Sequence, residues 1–224
     1  MRVTFVRHHV EDEPGLLGEA FEARNFEVTV HEGAQPDRLP DPAGLDAAVV
    51  LGAVWSVYDT ATIGSWIGEE LAWLRSLDGA GVPVLGVCFG AQALAAAHGG
   101  SVEPAPRKEI GWVAVEPVRP ELVKPGPWFQ FHGDRCVLPP GAEILATNDV
   151  AVQAYALRRN LAVQFHPEVD GPQLERWIEH GGRDEIAGSG LDPDELLAAT
   201  IKEEGAARER ADELVGAFLR TTSQ

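Results

Sequence analysis

The segment Pro83–Ala95, PVLGVCFGAQALA, constrains the fold of this chain more than any other. Its first half is a continuous apolar run, the pattern of a strand buried on both faces. Its second half is Ala-rich and reads as a helix. Between them stands Gly86-Val87-Cys88-Phe89-Gly90 with no linker. A strand can turn directly into a helix there because the flanking glycines leave room that side chains would fill. Such a junction belongs to a sheet covered by helices, so the rest of the chain should supply more strands and helices in alternation.

The remaining pattern does so. Arg2 to Val6, Phe26 to Val30, Ala47 to Leu51 and Val82 to Val87 read as strands. Helices are expected from Pro14 to Arg24, from Ile63 to Leu77 and from Gln92 to His98, and a Pro/Asp/Gly-rich loop from Gln35 to Gly44. This β-α-β-α order predicts an α/β fold: a single-domain, doubly wound, mostly parallel sheet with flanking helices, of the flavodoxin-like kind. Five short strands follow (Val113–Val118, Trp128–Phe131, Ile144–Ala146, Val152–Leu157, Leu161–Phe165), some expected to extend the sheet antiparallel and some to rejoin it. A helix is expected from Pro172 to His180. Residues 1–224 read as one domain, with 184–224 a helical C-terminal extension; from Asp192 onward it reads as two helices with Gly205 between them.

The formal charge of −17 disfavours nucleic-acid binding, because such a surface repels phosphates. No apolar stretch approaches the roughly 18 residues of a membrane span, so no membrane partner is expected. Cys88 and Cys136 are the two cysteines; they form no metal pair and no disulfide framework, which suits a cytoplasmic location. His8 and His9 follow the first strand but lack a carboxylate cluster at ligand spacing, so no metal is expected. Cys136 reads as incidental.

Gly-x-Cys-x-Gly between strand and helix is the cysteine form of a nucleophile elbow. The turn would push Cys88 out at the carboxyl edge of the sheet, and the following helix would point its N-terminus at the sulfur, favouring thiolate. The Phe89 amide would face a developing oxyanion. A thiol nucleophile needs a base, and the base needs an orienting partner. His166, 78 residues beyond Cys88 at the end of a predicted strand, and Glu168, two residues on across Pro167, have that spacing.

GVCFGAQALA closely resembles the nucleophile motif of class I glutamine amidotransferases. LAVQFHPEV (Leu161–Val169) resembles their His-x-Glu element, and VVLGAVWSVYD (Val49–Asp59) resembles their oxyanion loop. KEIGW (Lys108–Trp112) and FQFHGD (Phe129–Asp134) match stand-alone members similar to the amidotransferase domain of GMP synthase. The pieces keep the family's order and cover about residues 1 to 180.

The resemblance implies catalysis by Cys88, His166 and Glu168, and an oxyanion hole from the amides of Phe89 and Ala53. The family's Gly-Gly-Pro is here Gly52-Ala53-Val54, so Ala53 stands for the second glycine. It implies substrate contacts from Gly52, Gln92, His132, Gly133 and Asp134. His132 reads as a loop or structural histidine rather than a second base. Glu109 and Trp112 would line or support the pocket. The implied reaction is hydrolysis of a small-molecule γ-glutamyl amide through a thioester, with no cofactor. Alternatives are a glutaminase subunit delivering ammonia to a separate synthetase partner, and a non-catalytic regulatory subunit.

Overall fold

The computed structural model describes residues 1–34 and 39–221. Among these, nine strands form one sheet in the order β2-β1-β3-β4-β9-β8-β7-β5-β6. Strands β1 (Arg2–Arg7), β2 (Glu27–Glu32), β3 (Ala47–Val50), β4 (Val84–Val87) and β9 (Asn160–Val163) run parallel. Strands β8 (Val152–Leu157), β7 (Glu143–Thr147), β5 (Ser101–Pro117) and β6 (Gly126–Val137) continue the sheet antiparallel. The expected parallel core and antiparallel extension are both present.

Alternation along each parallel strand builds two cores. Val3, Phe5, Ala47, Val49, Leu85 and Val87 face one side, against Leu17 and Phe21 of α1 (Gly15–Glu22) and Leu214 and Phe218 of the C-terminal helix. Val6, Ala48, Val50 and Val84 face the other, against α3 (Ile67–Ala80) and α4 (Phe89–Ala97). The sheet is therefore covered on both faces, as a parallel sheet must be.

Three expectations are corrected. The helix read from Ile63 to Leu77 is two: α2 (Thr60–Ile63) and α3, separated at Gly64–Trp66. Trp66 leaves helical geometry there, and its indole turns inward against His8 and Phe89. The C-terminal segment is not two helices divided at Gly205. It is α6 (Arg183–Gly188) followed by one 29-residue helix, α7 (Pro193–Thr221), which begins at Pro193 under an Asp192 cap and runs through Gly205. Strands β5 and β6 are much longer than their apolar centres suggest. Of the loop read from Gln35 to Gly44, residues 35–38 lie outside the described residues, and Pro42–Gly44 forms a 3₁₀ turn capped by Asp41. The helix after β9, α5 (Gly171–Trp177), ends in a kink at His180 and Gly181, where the backbone leaves helical geometry, before the chain enters α6. No helix is long and apolar enough to cross a membrane among the described residues.

Candidate active site

The carboxyl ends of β1, β3, β4 and β9 lie side by side, and each delivers one piece of a site: His8, Gly52, Cys88 and His166. Crevices at this edge are where parallel α/β sheets bind ligands. The strand-to-helix turn is as tight as the sequence implies. Cys88 has φ 50° and ψ −105°, a conformation an L-residue adopts only under strain of about 1–3 kcal/mol. Its amide donates to Val163 O at 2.8 Å, tying the turn to β9. A Cβ on Gly90 would lie 2.0 Å from Val50 O, and one on Gly86 would lie 2.7 Å from Gly90 O. Both glycines are required for helix α4 to start where it does.

His166 is held on both sides. Its amide donates to Phe129 O at 2.8 Å, and its Nδ1 lies 2.7 Å from Glu168 Oε1. The ring meets Trp177 edge to face at 5.1 Å. Nε2 is buried and has no aligned hydrogen-bond partner. Burial alone would lower the imidazole pKa, but the Glu168 carboxylate and then Cys88 outweigh it and hold the ring well above its ordinary value. Glu168 is fixed in turn by α1: Leu16 N donates to Glu168 O at 3.0 Å. Gly15, at φ +49°, makes that approach possible, since a Cβ there would sit 2.1 Å from the same oxygen.

Gly52 packs against this pair; a Cβ on it would be 2.8 Å from His166 Cε1 and 3.7 Å from Cys88 Cβ. Ala53 follows it on the cavity wall, and its amide makes no hydrogen bond among the described residues. The Phe89 side chain is buried away from the cavity, while its amide, at the first position of α4, has no partner within the helix. Phe89 directly follows Cys88 in the chain, and Ala53 follows Gly52, which packs against Cys88; neither expected oxyanion donor has a partner within its own segment.

The cavity holds about 540 Å³. Cys88, His166, Glu168, Gly52, Gln92, His132, Gly133 and Asp134 all line it, so the site residues expected from sequence, Phe89's side chain apart, meet at one place. Their roles differ in detail. Gln92 is 3 % exposed and donates to Gln164 Oε1 at 3.3 Å, so it is internal to the site rather than polarity on a helix surface. Asp134 accepts from Ser56 Oγ and from Tyr58 OH, the latter at 2.9 Å, and so fastens the Gly52–Tyr58 loop to β6. His132 Nδ1 is 2.9 Å from Asp134 O, and its Nε2 is 3.2 Å from Glu109 Oε2 without hydrogen-bond alignment. Glu109 itself accepts from Asn148 and Gln153, beneath the cavity rather than on its wall. Trp112 bonds Thr200 of α7 at 2.9 Å, so both supporting residues brace the pocket from outside.

Sequence reasoning missed Gln164, whose Nε2 lies 3.6 Å from Cys88 Sγ. It stands two residues before His166, so strand alternation puts it on the same face; that signal was available. It also missed Asp12, which accepts from Trp177 Nε1 at 2.9 Å. Burial, and Glu168 nearby, raise the Asp12 carboxyl above the ordinary range, against the opposing hydrogen bond from Trp177. Cys136 is buried, and burial pushes its thiol up to about 12, which removes it as a competing nucleophile. Among the described residues no group of three His, Cys, Asp or Glu side chains could hold a metal ion.

An α/β sheet with a strained cysteine elbow and a His–Glu pair at its carboxyl edge defines a cysteine-hydrolase type of site. Comparison with known proteins narrows the class. The family model described as glutamine amidotransferase class-I matches residues 16–180. GMP synthase [glutamine-hydrolyzing] from Thermomicrobium roseum is 40% identical over 130 residues, 54% of this chain and 23% of that protein. The protein of the same name from Porphyromonas gingivalis (strain ATCC 33277) is 35% identical over 144 residues, 59% of this chain and 27% of its own length. The match therefore spans about a quarter of these curated relatives. A crystal structure of a glutamine amidotransferase from Thermotoga maritima superposes with a TM-score of 0.89 at 27% identity, covering 100% of this chain and 99% of that one. A glutamine amidotransferase from Methylobacillus flagellatus shares the fold at TM-score 0.87. The chain belongs to the class-I glutamine amidotransferase family.

Proposed function

We propose that this protein hydrolyses a γ-glutamyl amide, glutamine or a γ-glutamylated amine or peptide, through a thioester on Cys88. The observation that supports it most is the row Cys88–His166–Glu168 on a strained elbow inside a cavity of about 540 Å³. The Cys88 thiolate forms a C–S bond to the amide carbonyl carbon, and the carbonyl π electrons move to oxygen. The amides of Phe89 and Ala53 hold that oxyanion. As the oxyanion collapses, the C–N bond breaks and His166 gives its proton to the leaving amine. Water then loses a proton to His166 and adds to the thioester. The C–S bond breaks, releasing glutamate and regenerating the thiolate. Glu168 keeps His166 in the tautomer and orientation that both half-reactions need.

A second reading has its own support. The curated relatives are named as glutamine-hydrolysing GMP synthases, and the match spans about a quarter of them. Ammonia released here would then pass to a separate synthetase partner. Glutamate release from L-glutamine and from a series of bulkier γ-glutamyl amides, with wild type and Cys88→Ala, separates the readings. Turnover of free glutamine that disappears in Cys88→Ala favours the ammonia donor. Turnover of bulkier amides alone favours a γ-glutamyl hydrolase. No release from any of them, with a thiol that resists iodoacetamide, overturns the nucleophile assignment and leaves a non-catalytic subunit.

A further inference from the structure

Beneath the oxyanion loop lies an ion pair that the triad does not use. His8, at the end of β1, is 5 % exposed, and Glu70, in the first turn of α3, is fully buried. His8 Nε2 stands 3.1 Å from each Glu70 carboxylate oxygen, and its Nδ1 stands 3.0 Å from Gly52 O. A carbonyl oxygen can only accept, so Nδ1 carries a hydrogen. A carboxylate can only accept, so Nε2 carries one too, and the ring is an imidazolium. A fully buried carboxylate is tolerable only with such a partner. The ring stacks on Trp66 at 5.5 Å and 28° and meets Phe89 edge-on at 4.8 Å. Gly33 leaves room for the pair, since a Cβ there would be 2.7 Å from His8 Nε2 and 2.8 Å from Glu70 Oε2.

The geometry points to His8, held by Glu70, as the positioning residue of the oxyanion hole. In a trans peptide the C=O of Gly52 and the N–H of Ala53 point in opposite directions. A hydrogen bond that fixes the carbonyl on the His8 side therefore fixes the Ala53 N–H on the other side, where Ala53 lines the cavity. The same ring packs against Phe89, whose amide is the second donor. One buried side chain braces both. This role rests on the Cys88 reading above. It also gives the buried pair a reason to exist, since an ion pair of this kind contributes little net stability.

The test separates chemistry that needs an oxyanion hole from chemistry that does not. p-Nitrophenyl acetate acylates Cys88 through a tetrahedral oxyanion, whereas iodoacetamide alkylates the same sulfur by direct displacement without one. In the double variant His8→Phe/Glu70→Leu, which keeps the stacking and leaves no unpaired charge, acylation should fall at least about tenfold, on the scale of losing part of one donor. Alkylation should change by less than about twofold. Equal losses in both reactions, or no loss of acylation, overturn the proposal. Side-chain ¹⁵N spectra of the wild type supply an arm that does not depend on the variant folding: a protonated Nδ1 on His8 is required, and a bare Nδ1 overturns it. Neither arm uses a γ-glutamyl substrate. A wild type that acylates and alkylates but releases no glutamate would sink the proposed function while leaving this inference decided.

Discussion

Two glycines beside Cys88 are required for different reasons, and substituting them should separate stability from chemistry. Gly90→Ala places a methyl 2.0 Å from the Val50 carbonyl, deep between β3 and α4. Overpacking of that kind costs about 1–3 kcal/mol or more, and a fall in the denaturant midpoint would show it. Gly52→Ala instead drives a methyl to 2.8 Å from His166 Cε1, in a loop that leaves the core intact. Displacing the base by a fraction of an ångström should cut hydrolysis by roughly 10²-fold while the melting temperature stays near wild type. An active Gly52→Ala would show that His166 does not work from this position. Glu168→Gln retains the shape but loses the carboxylate 2.7 Å from Nδ1. Hydrolysis should drop by as much as about 10⁴-fold, by analogy with orienting carboxylates of other triads. That Cys88, His166 and Glu168 meet in one cavity was legible in sequence, because they sit at strand ends with local signals: glycines around Cys88, and proline between His166 and Glu168. His8 was not legible, because its partners Gly52 and Glu70 lie 44 and 62 residues away and meet it only through packing.

At the scale of elements, short apolar runs located the buried strands well and the exposed elements poorly. The central parallel strands β3, β4 and β9 are four-residue runs made mostly of Val, Ala and Leu and buried throughout, a pattern with few other readings. The outer part of β5 carries Glu103, Pro104, Arg107 and Lys108, mostly exposed, so no alternation marks it. Glu103 and Pro104 are in the strand because they pair with Arg135 and Asp134 of β6; the register then shifts before Glu109↔His132, leaving Arg107 and Lys108 in an irregular stretch between two paired ones. Helix α7 shows the opposite error. Gly205 costs its helix roughly 1 kcal/mol and reads as a stop. The helix continues because Leu214, Val215 and Phe218 beyond it bury themselves in the core with Phe21. Phe218→Ala should therefore destabilise by about 3–5 kcal/mol, seen in urea unfolding. Gly205→Ala should stabilise by about 0.4–1 kcal/mol, because a Cβ there meets nothing within 4 Å and the backbone is already helical. A destabilised Gly205→Ala would mean that the helix is broken there after all.

At the scale of the whole molecule, sheet topology gathers the chemistry and links it to stability. Strand order brings β1, β3, β4 and β9 together, so residues 8, 52, 88 and 166 become neighbours at one edge. A parallel sheet could be inferred from the β-α-β-α order, and with it the edge at which a site should form; the position of β9 between β4 and β8 could not. The same edge buries two histidines in a chain of formal charge −17. For His8, burial lowers the pKa, but Glu70, the Gly52 carbonyl and Asp12 together raise it above the ordinary value; Trp66 and Phe89, packed on the ring, are neutral. His166 is raised further, by Glu168 and Cys88 against burial. A group whose folded pKa is raised binds its proton more tightly in the folded state than in the unfolded chain. Its contribution is complete below the ordinary imidazole value of about 6.5 and is lost as pH climbs through the folded value. Stability should therefore fall as pH rises from about 6.5 upward. The fall should be shallower in His8→Phe/Glu70→Leu, which removes one of the two raised groups. Urea unfolding of both proteins across that range measures it. Parallel profiles would mean that His8 does not hold an extra proton in the folded state, and a flat wild-type profile would deny the imidazolium at both positions.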